Sequence, residues 1–512
     1  MVNVSEKYLY TPHPANNGAV NVWMAYPASE AFAMSSLGYL WLFKQLDENV
    51  NVNTERINTE TTRSAIPPNL VDMIAFSFSF DTDFINIFSI LDKYKIPLRR
   101  KIRGKDFPVI FAGGPVVTAN PTPYEEFFDF FIIGDGEILN RKVVEIYKKH
   151  TAKSEFLREI SELDGIYVPE YKKETVKKTE ALTECIYTPI ISERAYFPDT
   201  FIVEIARGCA NRCGFCLASY INLPLRTLPY DNIIKVLENG LSKTNKIALL
   251  GAQLSAHPEF SKICTYIYQK SKNENLDIEM SISSLRVDAV TPEIIKILSA
   301  LGQKNITLAI EAGSERLRRV INKNLTKPQI MNAIEIAKNA GLKGLKFYGM
   351  IGLPTESNED IEELINLTRE IKDKYKSFDI SFGFSTFVPK PHTPFQWCGR
   401  EDTKSLEKKF LHIQKEFHKI GVQVSVSSPK WDYWQAVLSR GDSTLTDFLE
   451  EIYKNGGKLG AYKQAAKKFN INTDDIAYKN IPPTQKLPWD FIKINPQKEF
   501  LIKEYNKLLN LD

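Results

Sequence analysis

Short apolar runs alternate with helical patterns twice along this chain, and that rhythm restricts the folds open to it more than any other feature. Between residues 19 and 149 the runs are AVNVWMAYP, VDMIAFSFSF, PVIFAGGP and FDFFIIG, with helical periodicity over 30–46, 83–94 and 137–149. Strands apolar on both faces and separated by helices indicate βαβ units with a parallel sheet covered on both sides. A doubly wound parallel sheet is therefore expected over 1–149. Its turns AGGPVVTANP and GDGE fall at the carboxyl ends of strands, where such sheets bind ligands; tight turning alone is the other reading of these glycines.

Residues 150–195 are charged and weakly periodic, as in KKHTAKSEFLREI and PEYKKETVKKTEALTE, and read as a linker segment. The second alternation follows, with strands expected near 200–206, 246–251, 278–283, 306–311, 344–350 and 380–387. Six βα units make a full or partial parallel barrel the natural closure, over a core domain of 196–427. From 428 to 512 the pattern is helical and amphipathic, broken by NGG and IPPTQKLPWD, and reads as a helical cap.

Composition narrows the setting without naming a partner. The 66 basic and 62 acidic residues leave a net charge of +4, so bulk charge does not single out nucleic acid. No secretory signal and no transmembrane span is evident, and the 6 cysteines, with half of them inside ARGCANRCGFCLAS, suit a reducing compartment. A cytoplasmic protein with no membrane partner is expected.

That cysteine cluster lies in the loop after the first strand of the second alternation. Cys209, Cys213 and Cys216 supply three thiolates within reach of one centre, and Arg207 and Arg212 are expected to favour the thiolate form. A structural zinc needs four ligands, and neither a paired cysteine motif nor a nearby histidine completes the set. A four-iron cluster on three cysteines keeps one iron open for a ligand.

The spacing of these cysteines, with the aromatic Phe215 before the last, resembles the cluster loop of radical SAM enzymes. The resemblance implies a [4Fe-4S] cluster whose open iron chelates S-adenosylmethionine and whose electron cleaves it to methionine and a 5′-deoxyadenosyl radical. It also implies a flavodoxin- or ferredoxin-type electron donor. Carried onto the strand ends, it assigns cofactor contacts to Gly251, Ala252 and Gln253, where the family has a Gly-Gly-Glu-like segment and this chain departs from it. Ser283 and Arg286 follow for the methionine carboxylate, Glu311 for the ribose hydroxyls or amino group, and the turn in GMIGLPTE for the adenine. The loop FVPKPHTPFQW is expected at the barrel mouth, with His392 either touching substrate or structural.

The chain further resembles a bacterial group of radical SAM proteins whose N-terminal, Rossmann-like domain is similar to a cobalamin-binding domain. The segment YPASEAFAMSSLG lacks the histidine that would supply a lower axial ligand, and the only N-terminal histidines, His13 and His150, flank the domain. Cobalamin is thus a possible cofactor, against a sheet that shields the barrel or receives substrate. The first cysteine is Cys185, which leaves no N-terminal second cluster of the methylthiotransferase kind. Cys264 reads as a buried apolar residue, while Cys398, beside Trp397, is either structural or a reactive thiol. The expected function is a single-cluster radical enzyme acting on RNA, protein or a small molecule; a cobalamin-dependent methyltransferase and a non-catalytic iron-sulfur protein are the alternatives.

Overall fold

The computed structural model describes residues 6–510. Its N-terminal sheet runs in the order Val52–Asn58, Val20–Tyr26, Met73–Ser77, Val109–Gly113, Phe130–Ile132, Ile166–Tyr167, with the first five strands parallel and the last antiparallel. The direction of winding reverses beside Val20–Tyr26, and such a switch point opens a crevice at the carboxyl edge. Helices Leu37–Asp47, Glu137–Tyr147 and Lys153–Ile160 cover one face. The other face is covered by helix Phe84–Lys93 and by the C-terminal helices, whose Val437, Phe448, Leu449 and Tyr462 share a core with Trp23, Ile74 and Phe131.

Two four-stranded sheets form the second unit. One runs Glu279–Ile282, Lys246–Leu250, Thr200–Glu204, Ile186–Tyr187, and the other Asn305–Glu311, Gly344–Ile351, Asp379–Thr386, Gln423–Val426. A single parallel bridge, Leu285 to Leu308, joins them, and among the described residues the outer strands do not pair, so the barrel is partial and open. The six expected strands are present. The structure adds the short parallel strand Gln423–Val426, too brief and too polar on its exposed positions to stand out as an apolar run.

Local chemistry explains the outer layer. Helix Asn358–Lys374 begins with a capping box, in which the Asp360 carboxylate accepts from the Ser357 N–H at 2.8 Å, and ends with Lys372 and Lys374 against the helix dipole. Its Ile361, Leu364, Ile365 and Ile371 recur at helical spacing and pack on the barrel, each burial worth about 2 kcal/mol.

Residues 150–195 do more than connect. Beyond the helix and the edge strand Ile166–Tyr167, Thr175–Val176 pairs with Ile492–Lys493 of the C-terminal region, Ile186–Tyr187 with the first barrel strand, and Ile190–Ser192 with Glu6–Tyr8. Short two- and three-residue strands leave no periodic trace, which is why the segment reads as irregular in sequence.

Candidate active site

The cysteine loop is pinched at its base by a two-residue antiparallel ladder, Ala206–Arg207 against Arg226–Thr227. Gly208 follows with φ +89°, and a Cβ there would meet the Asn222 carbonyl oxygen at 2.5 Å, so only glycine fits. Inside the loop the Cys216 N–H donates to the Cys213 carbonyl at 3.0 Å, and the Tyr220 hydroxyl donates to the Arg212 carbonyl at 2.9 Å.

Two other loops hold it from outside. The Gly214 N–H donates to the Ile321 carbonyl at 3.1 Å, the Asn322 side chain donates to the carbonyls of Asn211 and Arg212, and the Phe395 N–H donates to the Gly214 carbonyl at 3.0 Å. The Phe395 ring lies where a Gly214 Cβ would sit, 2.7 Å away. Gly214→Ala is therefore expected to displace a rigid buried ring, costing about 1–3 kcal/mol and lowering the iron bound per chain, checked by thermal melting and iron analysis.

The sequence places FVPKPHTPFQW at a substrate mouth; the structure buries it. His392, Phe395, Trp397 and Cys398 all lie in the interior, and Phe395 braces the cysteine loop. Burial pushes the His392 imidazole down to about 4 and the Cys398 thiol up to about 12, so both groups are neutral near pH 7. Apolar residues around Pro391 and Pro394 are drawn inward because they fill the junction between barrel, N-terminal sheet and C-terminal helices.

The three thiols converge. Cys209 and Cys213 are buried and Cys216 is half-buried, and burial together with mutual repulsion of the sulfurs raises the Cys213 thiol to about 12 and the Cys216 thiol above its usual range. Among the described residues no three His, Cys, Asp or Glu side chains close on a single metal ion. A cluster makes no such demand, because each iron takes its own cysteine.

Around the thiols stand residues from successive strand ends. Asn211 Nδ2 donates to Gln253 Oε1 at 2.7 Å, and the Cys209 sulfur lies 3.5 Å from the same oxygen. Arg286 grips Asp288 through two hydrogen bonds of 2.9 Å; burial opposes its charge, but Asp288 and the nearby Cys213 and Cys209 outweigh this and raise its pKa. Glu311 ends its strand at a register shift with φ +65°, a left-handed conformation unusual outside glycine, and its carboxylate pairs with Lys323 at 3.3 Å. Their side chains are only 12% and 8% exposed. Lys323 eases ionisation of Cys213, and the sequence reading missed it because it lies in an irregular turn, INKNL, between two helices.

The remaining assigned positions differ in placement. Ser283 and Ala252 are exposed at their strand ends, Gly251 backs onto the Ala206 carbonyl, and Phe215 is half-buried against the core shared with the C-terminal helices. In the turn after the fifth barrel strand, Gly352 has φ +79° and its N–H donates to Glu356, itself paired with Lys409 at 2.8 Å.

The two arginines of the loop do not serve the thiols as expected. Arg207 turns toward the N-terminal sheet and pairs with Asp135, Glu137 and Glu204 at 3.0, 2.8 and 2.7 Å, while Arg212 stacks on Phe500 at 5.0 Å. Three carboxylates outcompete a thiol for the Arg207 guanidinium because their geometry permits several charge-assisted hydrogen bonds at once. The positive charge near the sulfurs comes from Lys323 and Arg286 instead.

A cavity of about 380 Å³ lies beside that network at the carboxyl edge of the N-terminal sheet, lined by residues including Ser77, Gly113, Gly134, Gly136, Leu42 and Arg207. A Cβ on Gly38 would meet nothing within 4 Å, and on Gly136 only side chains at ordinary contact distance, so the wall is bared by glycine.

Comparison with known proteins agrees with this anatomy. Residues 42–169 match the family described as radical SAM proteins, N-terminal, and residues 203–368 match the radical SAM superfamily. An uncharacterized protein of Methanocaldococcus jannaschii is 34% identical over 403 residues, covering 77% of this chain and 83% of that one. A threonylcarbamoyladenosine tRNA methylthiotransferase of Aquifex aeolicus is 22% identical, over 50% of this chain and 63% of its own length.

Among solved structures, the cobalamin-dependent S-adenosylmethionine radical enzyme OxsB aligns with a TM-score of 0.56 at 14% identity, covering 90% of this chain and 72% of that one. The radical S-adenosylmethionine methyltransferase TsrM of Kitasatospora setae aligns with a TM-score of 0.53 at 10% identity, covering 72% of each chain. Among the described residues no helix is long and apolar enough to cross a membrane. With its N-terminal sheet, its open barrel and its three-cysteine loop at the first barrel strand, the chain belongs to the radical SAM superfamily, whose members work with a [4Fe-4S] cluster and S-adenosylmethionine.

Proposed function

We propose that Cys209, Cys213 and Cys216 hold a [4Fe-4S] cluster and that Gln253, Arg286, Glu311 and Lys323 hold S-adenosylmethionine beside it. The observation that carries this reading is the meeting of three thiols with a guanidinium, an ammonium and a carboxylate at the carboxyl ends of the barrel strands. When bound, the cluster supplies one electron to the sulfonium of S-adenosylmethionine, which yields the 5′-deoxyadenosyl radical.

The protein's own part is positioning and exclusion. Arg286 and Lys323 suit the methionine carboxylate, with Arg286 preset by its fork on Asp288. Glu311 and Gln253 offer acceptor oxygens to the amino group and the ribose hydroxyls, and the exposed Ser283 adds a hydroxyl at the same rim. Phe215 of the loop and the backbone of Gly251 and Ala252 at the end of the second strand are the remaining cofactor contacts of this reading. Holding the reacting carbon near the nucleotide in an enclosed site supplies much of the rate and protects the radical.

The electron donor we assign is a flavodoxin or ferredoxin of the cytoplasm, and the substrate an RNA, a protein or a small molecule. The test is anaerobic reconstitution, reduction with dithionite and detection of 5′-deoxyadenosine. A well-formed cluster that binds S-adenosylmethionine without cleaving it would leave a non-catalytic iron-sulfur protein.

The glycine-walled cavity at the N-terminal sheet favours a second element of the reading, a cobalamin bound through its nucleotide tail at the sheet edge. Its lining contains no histidine, so any such cofactor takes no imidazole ligand from it. Protein produced with the vitamin supplied is expected to carry cobalamin absorbance; a colourless cluster-free preparation rejects it.

A further inference from the structure

The inner wall of the barrel contains a cation that the cofactor reading does not use. In the strand Gly344–Ile351, Leu345, Phe347 and Ile351 are buried under the outer helices, so Lys346, Tyr348 and Met350 face the lumen. Tyr348 is 43% exposed although its strand is paired on both sides, which makes the lumen beside it open space.

Strand register fixes the neighbours. Thr307 and Ser381 stand level with Lys346, and Ala309 and Gly383 stand level with Tyr348. A Cβ on Gly383 would come within 3.2 Å of the Lys346 Cε and 3.4 Å of the Tyr348 ring, so glycine makes the room in which these two side chains lie. Among the described residues Lys346 forms no ion pair; its ammonium rests 5.1 Å from the centre of the Tyr348 ring. Lys323, beside the cysteine loop, is by contrast paired with Glu311.

An ammonium without a carboxylate, flanked by two hydroxyls in a partly enclosed space, is matched by an anion. We propose that Lys346 receives a carboxylate or phosphate group of the substrate, with Thr307 and Ser381 as hydroxyl donors and the substrate's carbon frame against the exposed ring of Tyr348. Glu311 is level with Gly349, three residues along from Lys346, and three strand residues span about 10 Å. The backbone of Lys346 thus lies about that length down the lumen from the level of Glu311, and the anion is bound below the cofactor within that span. This rests on the cofactor reading above, which sets the end of the lumen where the radical forms.

The experiment is isothermal titration of the full chain, cluster reconstituted and S-adenosylmethionine present, with phenyl phosphate, with benzoate, and with benzyl alcohol as the uncharged control. At least one anion is expected to bind and the alcohol not to. Lys346→Met weakens that binding by about tenfold or more, while Lys346→Arg, which keeps the charge, retains most of it. The preferred anion tells phosphate from carboxylate. The proposal is overturned if neither anion binds, if the alcohol binds as well, if Lys346→Met binds like the wild type, or if both variants lose binding alike. A parallel titration of the wild type with S-adenosylmethionine alone reports on the cofactor reading, so failure of that reading is seen separately.

Discussion

Cys213→Ala is expected to leave a folded protein that no longer keeps its iron and forms 5′-deoxyadenosine roughly a thousand-fold more slowly. The sulfur is buried beside Lys323, and the loops of Ile321 and Phe395 brace the neighbouring Gly214. Removing it takes away a sulfur that no neighbouring side chain replaces, since the other cysteines, Cys185, Cys264 and Cys398, are buried in apolar cores. The loss of one buried sulfur costs the fold about 1–2 kcal/mol, too little to unfold it. Cys264→Ala is the matched control, because it removes an equally buried thiol from helix Phe260–Asn273 and is expected to keep both iron and activity. Iron and sulfide analysis, visible absorbance and product formation read the difference; equal iron in both variants would remove Cys213 from the cluster.

Arg207→Met is expected to loosen the N-terminal sheet from the cysteine loop. Arg207 joins Asp135 and Glu137 of the sheet to Glu204 of the barrel, and Arg226 adds a second contact to Asp135 at 2.5 Å. All of these side chains are at most 17% exposed, so the substitution strands carboxylates in a poorly solvated seam, a change that costs about 3–5 kcal/mol. Hydrogen exchange is expected to rise in residues 134–137 and 206–227 and to stay unchanged in the helices outside the barrel. Unaltered exchange in the seam would show that apolar packing alone joins the two parts.

The same network sets a pH dependence. Burial opposes ionisation of Asp135, but Arg207, the Glu180 N–H and Arg226 outweigh it, and its pKa lies below the usual carboxylate value. A lowered folded-state pKa stabilises above the unfolded value, about 3.9, and that stability is lost as pH falls through the lower folded value. Acid loosening of the seam is therefore expected below about pH 4 in the wild type, and at higher pH in Arg207→Met, where burial is no longer countered. Limited proteolysis across a pH series reads the midpoint.

Much of this was legible along the chain because the signals were local. The strand Gly344–Ile351 announces itself by alternation, and the cysteine loop by spacing confined to eight residues. Glu311 and Arg286 were singled out by the family resemblance carried onto the strand ends, and both lie near the thiols. Lys323 and Asn322 were invisible because a turn between helices has no periodicity, and their importance comes from folding back over the loop 110 residues earlier. The roles given to Arg207 and Arg212 failed for a related reason: adjacency in sequence says nothing about which way a long side chain turns when two carboxylates of another domain and one at the end of the preceding strand await Arg207 and an aromatic ring awaits Arg212.

By itself the sequence determined the long strands and helices and the two parallel architectures, and it singled out the three clustered cysteines, since these follow from short-range pattern and spacing. Tertiary structure alone decided that the C-terminal helices cover the N-terminal sheet, that the proline-rich loop is a buried brace, and that residues 150–195 are laced into four sheets. It also decided which cations face the sulfurs and which face the lumen. Those choices depend on burying apolar faces and pairing charges between segments hundreds of residues apart, and such energies exist only once the chain has closed on itself.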